Sequence, residues 1–66
     1  MKLKLKLGDR VEIDGIEMTC TRILLGMGVK RYSLLYFAGG ECRCLEFDGG
    51  ELAALGARKV ERSAER

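Results

Sequence analysis

Apolar and polar residues alternate through the first part of the chain. Leucines alternate with lysines up to residue 7, and Val11 and Ile13 continue the odd-numbered apolar positions beyond Gly8. A period of two is the pattern of a β-strand, because successive side chains point to opposite faces. The pattern therefore predicts a strand over residues 3–13 with a bend at the glycine.

A hairpin and a bent second strand are expected next. Asp14-Gly15 is typical of a two-residue turn, because Asp and Gly tolerate the positive φ that both turn positions need. In the following segment, 16–25, the apolar residues share one face up to Cys20 and fall on the other face from Ile23 onward. This change of phase predicts a β-bulge or a barrel corner within the second strand.

Glycines divide the middle of the chain. A glycine-rich stretch followed by Lys30-Arg31 predicts a basic, flexible loop over residues 26–31. Residues 32–37 are β-prone and carry three of the four aromatic side chains, so we expect the central strand there.

The last third of the chain predicts a turn, a strand, a helical turn and a final strand. Residues 38–41 form the turn and residues 42–47 the fourth strand. Residues 51–55 have helix-forming composition and precede Gly56, which predicts one turn of helix. A fifth short strand is expected over residues 58–62.

These elements together predict an all-β fold, a small SH3-like barrel of four to five antiparallel strands with one short helical turn. The absence of proline and the nine glycines agree with tightly turned strands, since proline cannot donate to a sheet ladder. An OB-fold is the alternative, although it is usually longer and carries a full helix. We expect one domain over residues 1–62 and a disordered basic tail over residues 63–66. The expected core is Val11, Ile13, Ile16, Met18, Tyr36 or Leu35, Leu45, Phe47, Leu52 and Leu55.

The length limits what the fold can contain. A chain of 66 residues forms one domain with a small core, and a large internal cavity is not expected. No apolar run approaches the roughly 20 residues of a membrane span. The alternation of lysine and leucine also differs from the unbroken apolar stretch of a signal peptide. We therefore expect a cytoplasmic protein without a membrane partner.

Part of the chain resembles the YodC-like family of small uncharacterised bacterial proteins. The resemblance rests on Gly8-Asp9-Arg10-Val11, Met18-Thr19-Cys20, Tyr36-Phe37-Ala38-Gly39, Phe47 and Glu51-Leu52. It covers residues 8–52 and implies an SH3-like barrel, but it brings no established activity. Residues 7–13 are also similar to the start of the KOW motif of ribosomal and transcription-factor barrels.

No set of residues typical of catalysis is present in the sequence. Histidine is absent, which removes the commonest general base and the usual partner of a serine or cysteine nucleophile. Glu46 and Asp48 have the spacing of paired carboxylates on one strand face, but ordinary solvent-facing charges share that spacing. We predict that the protein is not an enzyme, with no cofactor and no small-molecule substrate.

The three cysteines predict neither a disulfide nor a metal site. Cys20, Cys42 and Cys44 are an odd number in a chain without an export signal, so we expect reduced thiols. Cys42 and Cys44 share one strand face, but a zinc site normally needs four ligands and no histidine is available. We expect the cysteines to be buried or half-buried apolar side chains.

Charge is distributed unevenly around a net value of +2. Residues 1–7 carry three lysines and no acid, residues 8–56 carry five basic and eight acidic residues, and residues 57–66 carry four basic and two acidic ones. If the first strand and the tail lie side by side, their basic residues form one patch. The candidate partner contacts are Lys2, Lys4, Lys6, Lys30, Arg31, Tyr32, Tyr36, Arg58, Lys59 and Arg62.

Two functions are open at this point. The first is protein interaction or homo-oligomerisation, because residues 34–37 are all apolar and cannot all point inward from one strand. The second is nucleic-acid binding by the basic ends, with Tyr32 or Tyr36 stacking on a base. The lysines have a non-binding alternative as well, since lysines on an exposed edge strand discourage aggregation. We favour the protein-binding module over the nucleic-acid binder because the body of the chain is acidic.

Overall fold

The computed structural model describes residues 2–60 and contains five strands and one helix. The elements are β1 (Arg10–Ile13), β2 (Ile16–Gly26), β3 (Val29–Ala38), β4 (Glu41–Asp48), α1 (Gly49–Ala54) and β5 (Arg58–Val60). The strands form one antiparallel sheet in the order β4-β3-β2-β1-β5. The all-β class, the five antiparallel strands and the short helix are thus confirmed.

The sheet is open, so the predicted closure into a barrel is wrong. Within residues 2–60, β4 and β5 are the two edges and do not pair with each other. The described part of β5 has only three residues, and it pairs with β1 alone.

Three two-residue turns connect the first four strands. Both residues of each turn have positive φ, and the turns are Asp14-Gly15, Met27-Gly28 and Gly39-Gly40. Such turns match the right-handed twist of paired strands. The hairpin at residues 14–15 is confirmed. The predicted loop over residues 26–31 is wrong, because the chain reverses within two residues and Lys30 and Arg31 belong to β3.

The predicted irregularity in the second strand is confirmed as a β-bulge. Cys20 and Arg22 of β2 lie opposite Leu34 and Ser33, which are consecutive in β3, so Thr21 is the extra residue. The bulge shifts the phase of β2 by one residue. As a result, apolar side chains on both sides of it face the core.

The core lies on one face of the sheet, called here the inner face. Its buried apolar residues are Leu5, Val11, Ile13, Met18, Cys20, Tyr32, Leu34 and Leu52, with Leu3, Ile23, Tyr36, Phe47 and Ala57 packed against them. Four of the expected core residues are therefore buried, and Tyr36 and Phe47 are partly so. Ile16, Leu45 and Leu55 were predicted as core residues but are 43%, 40% and 49% exposed. These three residues lie outside the part of the open sheet that other segments cover.

The inner face is covered by α1 and by residues 2–9, which we call the N-terminal segment. The segment contains no strand, so the predicted strand over residues 3–13 begins only at Arg10. Leu5 of the segment is buried in the core, and the Leu3 backbone N–H donates to the Gly49 carbonyl oxygen at 3.1 Å. The lysines of the segment thus do not lie on an edge strand.

Gly8 turns the N-terminal segment into β1. The Asp9 N–H donates to the Lys6 carbonyl oxygen at 3.0 Å, and Gly8 has a φ of +89°, as the third position of a type II turn requires. The Gly8 N–H donates to the Cys20 carbonyl oxygen, and the Cys20 N–H donates to the Asp9 carbonyl oxygen, each at 2.8 Å. Gly8 and Asp9 therefore both lie opposite Cys20. This arrangement is a β-bulge of the glycine type, and it ends the β1–β2 ladder.

A capping box starts α1 directly at the end of β4. The Asp48 side chain accepts from the Glu51 N–H at 2.7 Å, and the Glu51 side chain accepts from the Asp48 N–H at 2.9 Å. Two of the free donors at the helix start are satisfied in this way. The helix then places Leu52, which is fully buried, over the sheet.

Replacing Gly49 by alanine should loosen the N-terminal segment. A Cβ at this position would lie 2.6 Å from the Leu3 carbonyl oxygen, so the backbones would have to separate. We expect Gly49→Ala to lower the free energy of unfolding by about 1–3 kcal/mol, the usual cost of overpacking. Urea unfolding followed by circular dichroism measures this change.

Gly50→Ala is the matched control for this experiment. It lies in the same helical turn, where a Cβ would meet only the Asp48 Oδ1 at 3.4 Å. We expect it to be neutral or to stabilise by up to about 1 kcal/mol, because alanine is the better helix former. Equal effects of the two substitutions would contradict the close approach of Leu3 and Gly49.

Asp9 should make stability depend on pH in the acid range. The Lys6 backbone N–H donates to its Oδ2 at 2.9 Å, and this bond, together with the Lys59 ammonium, holds the pKa of Asp9 below its ordinary value of 3.8. A lowered pKa stabilises the fold above the unfolded-state pKa, and that contribution is lost as the pH falls through the folded-state pKa. Wild type should therefore exceed Asp9→Asn in free energy of unfolding at about pH 6 and lose this advantage towards about pH 2.5. Parallel stability curves for the two proteins would contradict this role.

Candidate binding surfaces

The two edges of the sheet differ in how well they are protected. β5 is short, and ion pairs flank it: Arg58 binds Glu12 at 2.6 Å and Lys59 binds Asp9 at 3.5 Å. β4 has eight residues and pairs with β3 over its whole length without a register shift. A long, regular edge strand is the kind to which another strand adds most readily.

The turn at Gly39-Gly40 determines which backbone groups of β4 face outward. A two-residue turn makes Ala38 and Glu41 a hydrogen-bonded pair, and the bonding alternates from there. The N–H and C=O groups of Cys42, Cys44 and Glu46 therefore point away from β3. We call this row of groups the β4 edge.

The capping box ends the β4 edge at Asp48. The outward N–H of Asp48 donates to Glu51 instead of remaining available at the edge. Three alternate residues, Cys42, Cys44 and Glu46, thus remain to accept an added strand.

Apolar side chains lie next to the β4 edge on both faces. On the outer face, Phe37 is 73% exposed and pairs with Cys42, while the half-buried Leu35 pairs with Cys44. On the inner face, Leu45 is partly exposed. The four apolar residues at 34–37 could not all point inward from one strand, and they do not. Leu34 and Tyr36 lie on the inner face, and Leu35 and Phe37 lie on the outer face.

The charges of β4 are balanced within the chain. Arg43 binds Glu41 at 3.1 Å, and Arg31 lies 3.8 Å from both Glu46 and Glu51. The Asp48 carboxylate caps α1. Both carboxylates of the pair at positions 46 and 48 thus have a contact within the chain.

A cleft of about 350 Å³ lies beyond the edge residues, at the point where β4 ends and α1 begins. It opens between the N-terminal segment, the β2–β3 turn and the start of α1. Its lining comprises Lys2, Leu3, Lys4, Gly28, Val29, Lys30, Tyr32, Asp48, Gly49 and Gly50. Because Lys2, Lys4 and Lys30 surround it, we call it the lysine cleft.

Five of the ten basic residues within residues 2–60 form ion pairs. Ion pairs among residues 2–60 engage four arginines and Lys59, but none of the three cleft lysines. All three are exposed side chains. Tyr32, which is only 2% exposed, forms part of the wall.

The candidate contact residues do not form one surface. Lys2, Lys4 and Lys30 meet at the cleft, whereas Lys6 and Lys59 both lie near Asp9. Arg58 binds Glu12 on the outer face of the sheet.

Two further candidates, Arg31 and Tyr36, do not line the cleft. Arg31 binds acidic residues of β4 and α1, and Tyr36 is half-buried on the inner face. Arg62 lies outside the described residues. The outward groups of β4 were missed from the sequence, because they depend on which strand occupies the edge.

The cysteines occupy two different environments. Cys20 is 1% exposed in the core, and burial raises the pKa of its thiol. Cys42 and Cys44 are exposed on the outer face, so the expectation of buried or half-buried cysteines is correct for Cys20 and wrong for these two. Among residues 2–60, no group of three or more cysteine, aspartate or glutamate side chains could hold a metal ion.

No family model, curated protein or solved structure matches the chain. The resemblance to the YodC-like family therefore stays a prediction. In the described part of the chain, α1 is far too short to cross a membrane.

The thiols should react in two classes. In dilute native protein, we expect Cys42 and Cys44 to react rapidly with an aromatic disulfide reagent because both are exposed. Cys20 should react only after denaturant is added, since it is buried and its pKa is raised. The absorbance of the released thiolate counts the thiols in each phase. Simultaneous reaction of all three would contradict the burial of Cys20.

Proposed function

We propose that this protein is a non-catalytic binding module that associates with a second copy of itself by adding β4 to β4 across the open edge. The observation that carries the proposal is the long β4 edge, with three residues whose backbone groups point outward and exposed apolar side chains beside them. Strand addition satisfies such groups and continues the sheet into the partner. A cytoplasmic location with reduced thiols is part of the proposal.

The sequence of β4 suits an antiparallel pair of identical strands. A two-fold axis at Cys44 places Cys42 opposite Glu46 and lets all three outward residues pair. An axis at Leu45 places the two copies of Leu45 opposite each other. Neither arrangement sets like charges face to face, whereas an axis at Arg43 or Glu46 would.

The apolar residues beside the edge would contribute to the same interface. If the two-fold axis lies at Cys44, one row of side chains crosses the interface on the outer face. It runs from Leu35 and Cys44 of one copy to Cys44 and Leu35 of the other. Phe37 lies beside this ladder on the same face. A chain with a small core gains stability by burying such surface against a copy of itself.

Nucleic-acid binding has less support. The basic residues divide between the lysine cleft, Asp9 and Glu12, so the broad basic surface that follows a phosphate backbone is not formed by residues 2–60. Tyr32 is buried in the wall of the cleft and offers no open ring face for a base.

Cys44→Pro should separate association from folding. The Cys44 N–H points outward, so proline removes no bond to β3 but removes one donor from each copy at the β4 edge. Losing these bonds costs about 1–3 kcal/mol per dimer and weakens association about fivefold or more. Sedimentation equilibrium measures the dissociation constant, and circular dichroism confirms the fold.

Leu45→Lys is a second disrupting variant, because a lysine at an edge opposes strand addition. Leu25→Lys is its matched control. Leu25 is 77% exposed and lies near the end of β2, which β3 separates from β4. We expect association to be lost in the first and retained in the second. A wild-type protein that stays monomeric at high concentration, or that instead binds DNA with affinity falling steeply in salt, would contradict the proposal.

A further inference from the structure

The lysine cleft combines a concave shape with charge that the chain does not neutralise. Lys2 and Lys4 come from the N-terminal segment, and Lys30 comes from the start of β3. Five of the ten basic residues in the described part of the chain have a carboxylate partner, and these three lysines are among the five that form no ion pair there. Three lysines from two separate segments thus line one cleft.

Asp48 is the acidic residue in the cleft lining, and its carboxylate is already engaged. It accepts from the Glu51 N–H as the cap of α1. One negative charge against three positive ones leaves the cleft cationic. An anion that enters a cleft lined by three lysines is attracted by their charge.

The cleft has the size of a small-molecule site rather than of a groove for a polymer. Its volume of about 350 Å³ lies at the lower end of the range for ligand pockets. Leu3, Val29 and the glycines supply an apolar wall without side chains that would fill the space. Lysine binds phosphate as a compact point charge with three donors.

We infer that the lysine cleft binds a small polyanion bearing phosphate groups, held by Lys2, Lys4 and Lys30. A free phosphorylated molecule and the phosphorylated end of an oligonucleotide share this chemistry, and the cleft fits the free molecule. This site is separate from the β4 edge and does not depend on self-association.

Isothermal titration of the full chain with inorganic pyrophosphate at low ionic strength tests the inference. We expect measurable binding that salt weakens. Each of Lys2→Gln, Lys4→Gln and Lys30→Gln should weaken it about two- to fivefold, and the triple variant about tenfold or more. Lys6→Gln is the matched control, because Lys6 belongs to the same segment but does not line the cleft. It should change the affinity by less than about twofold.

The same titration with a 5′-phosphorylated oligonucleotide distinguishes the two sources of phosphate. If the oligonucleotide binds more weakly than pyrophosphate, the result supports a free phosphorylated molecule as the ligand. If the oligonucleotide binds much more tightly, the result overturns that assignment. The absence of pyrophosphate binding, or equal effects of Lys6→Gln and the three cleft variants, would also overturn the inference. Repeating the titration with Cys44→Pro separates the two sites, because we expect that variant to bind pyrophosphate as wild type does.

Discussion

A single sheet cannot bury its own apolar face, and this constraint shapes the whole molecule. The inner face, with Val11 and Leu34 fully buried, needs a second layer, and within residues 2–60 the N-terminal segment and α1 provide it. The two covering elements are joined where the Leu3 N–H meets the Gly49 carbonyl oxygen. The close contact there explains why a glycine occupies the first position of the helix.

The small size of this cover leaves apolar surface at the margins of the sheet. Ile16 and Leu45 lie on the inner face but remain substantially exposed, and Phe37 is exposed on the outer face. The fold therefore does not bury all the apolar residues that its sequence supplies. Exposed apolar surface beside an unpaired strand is the physical basis for expecting a partner at β4.

The sequence predicted the features that local chemistry determines. Asp14-Gly15 defines its turn by itself, and the change of phase after Cys20 reveals the bulge. The alternation of leucine and lysine wrongly predicted a strand that starts at residue 3. Such an alternation indicates that one side of the segment is buried, but it does not show whether the backbone pairs with another strand. The edge position of β4 and the lysine cleft depend on contacts between distant segments, so no local pattern could indicate them.

Hydrogen exchange of the β4 amides, resolved by residue in dilute and concentrated solution, tests the central claim most directly. The amides of Arg43 and Leu45 bond to β3 and should be protected at both concentrations. The outward amides of Cys42, Cys44 and Glu46 should exchange rapidly when dilute and become protected when concentrated. Rapid exchange of these three amides at every concentration would contradict association through β4.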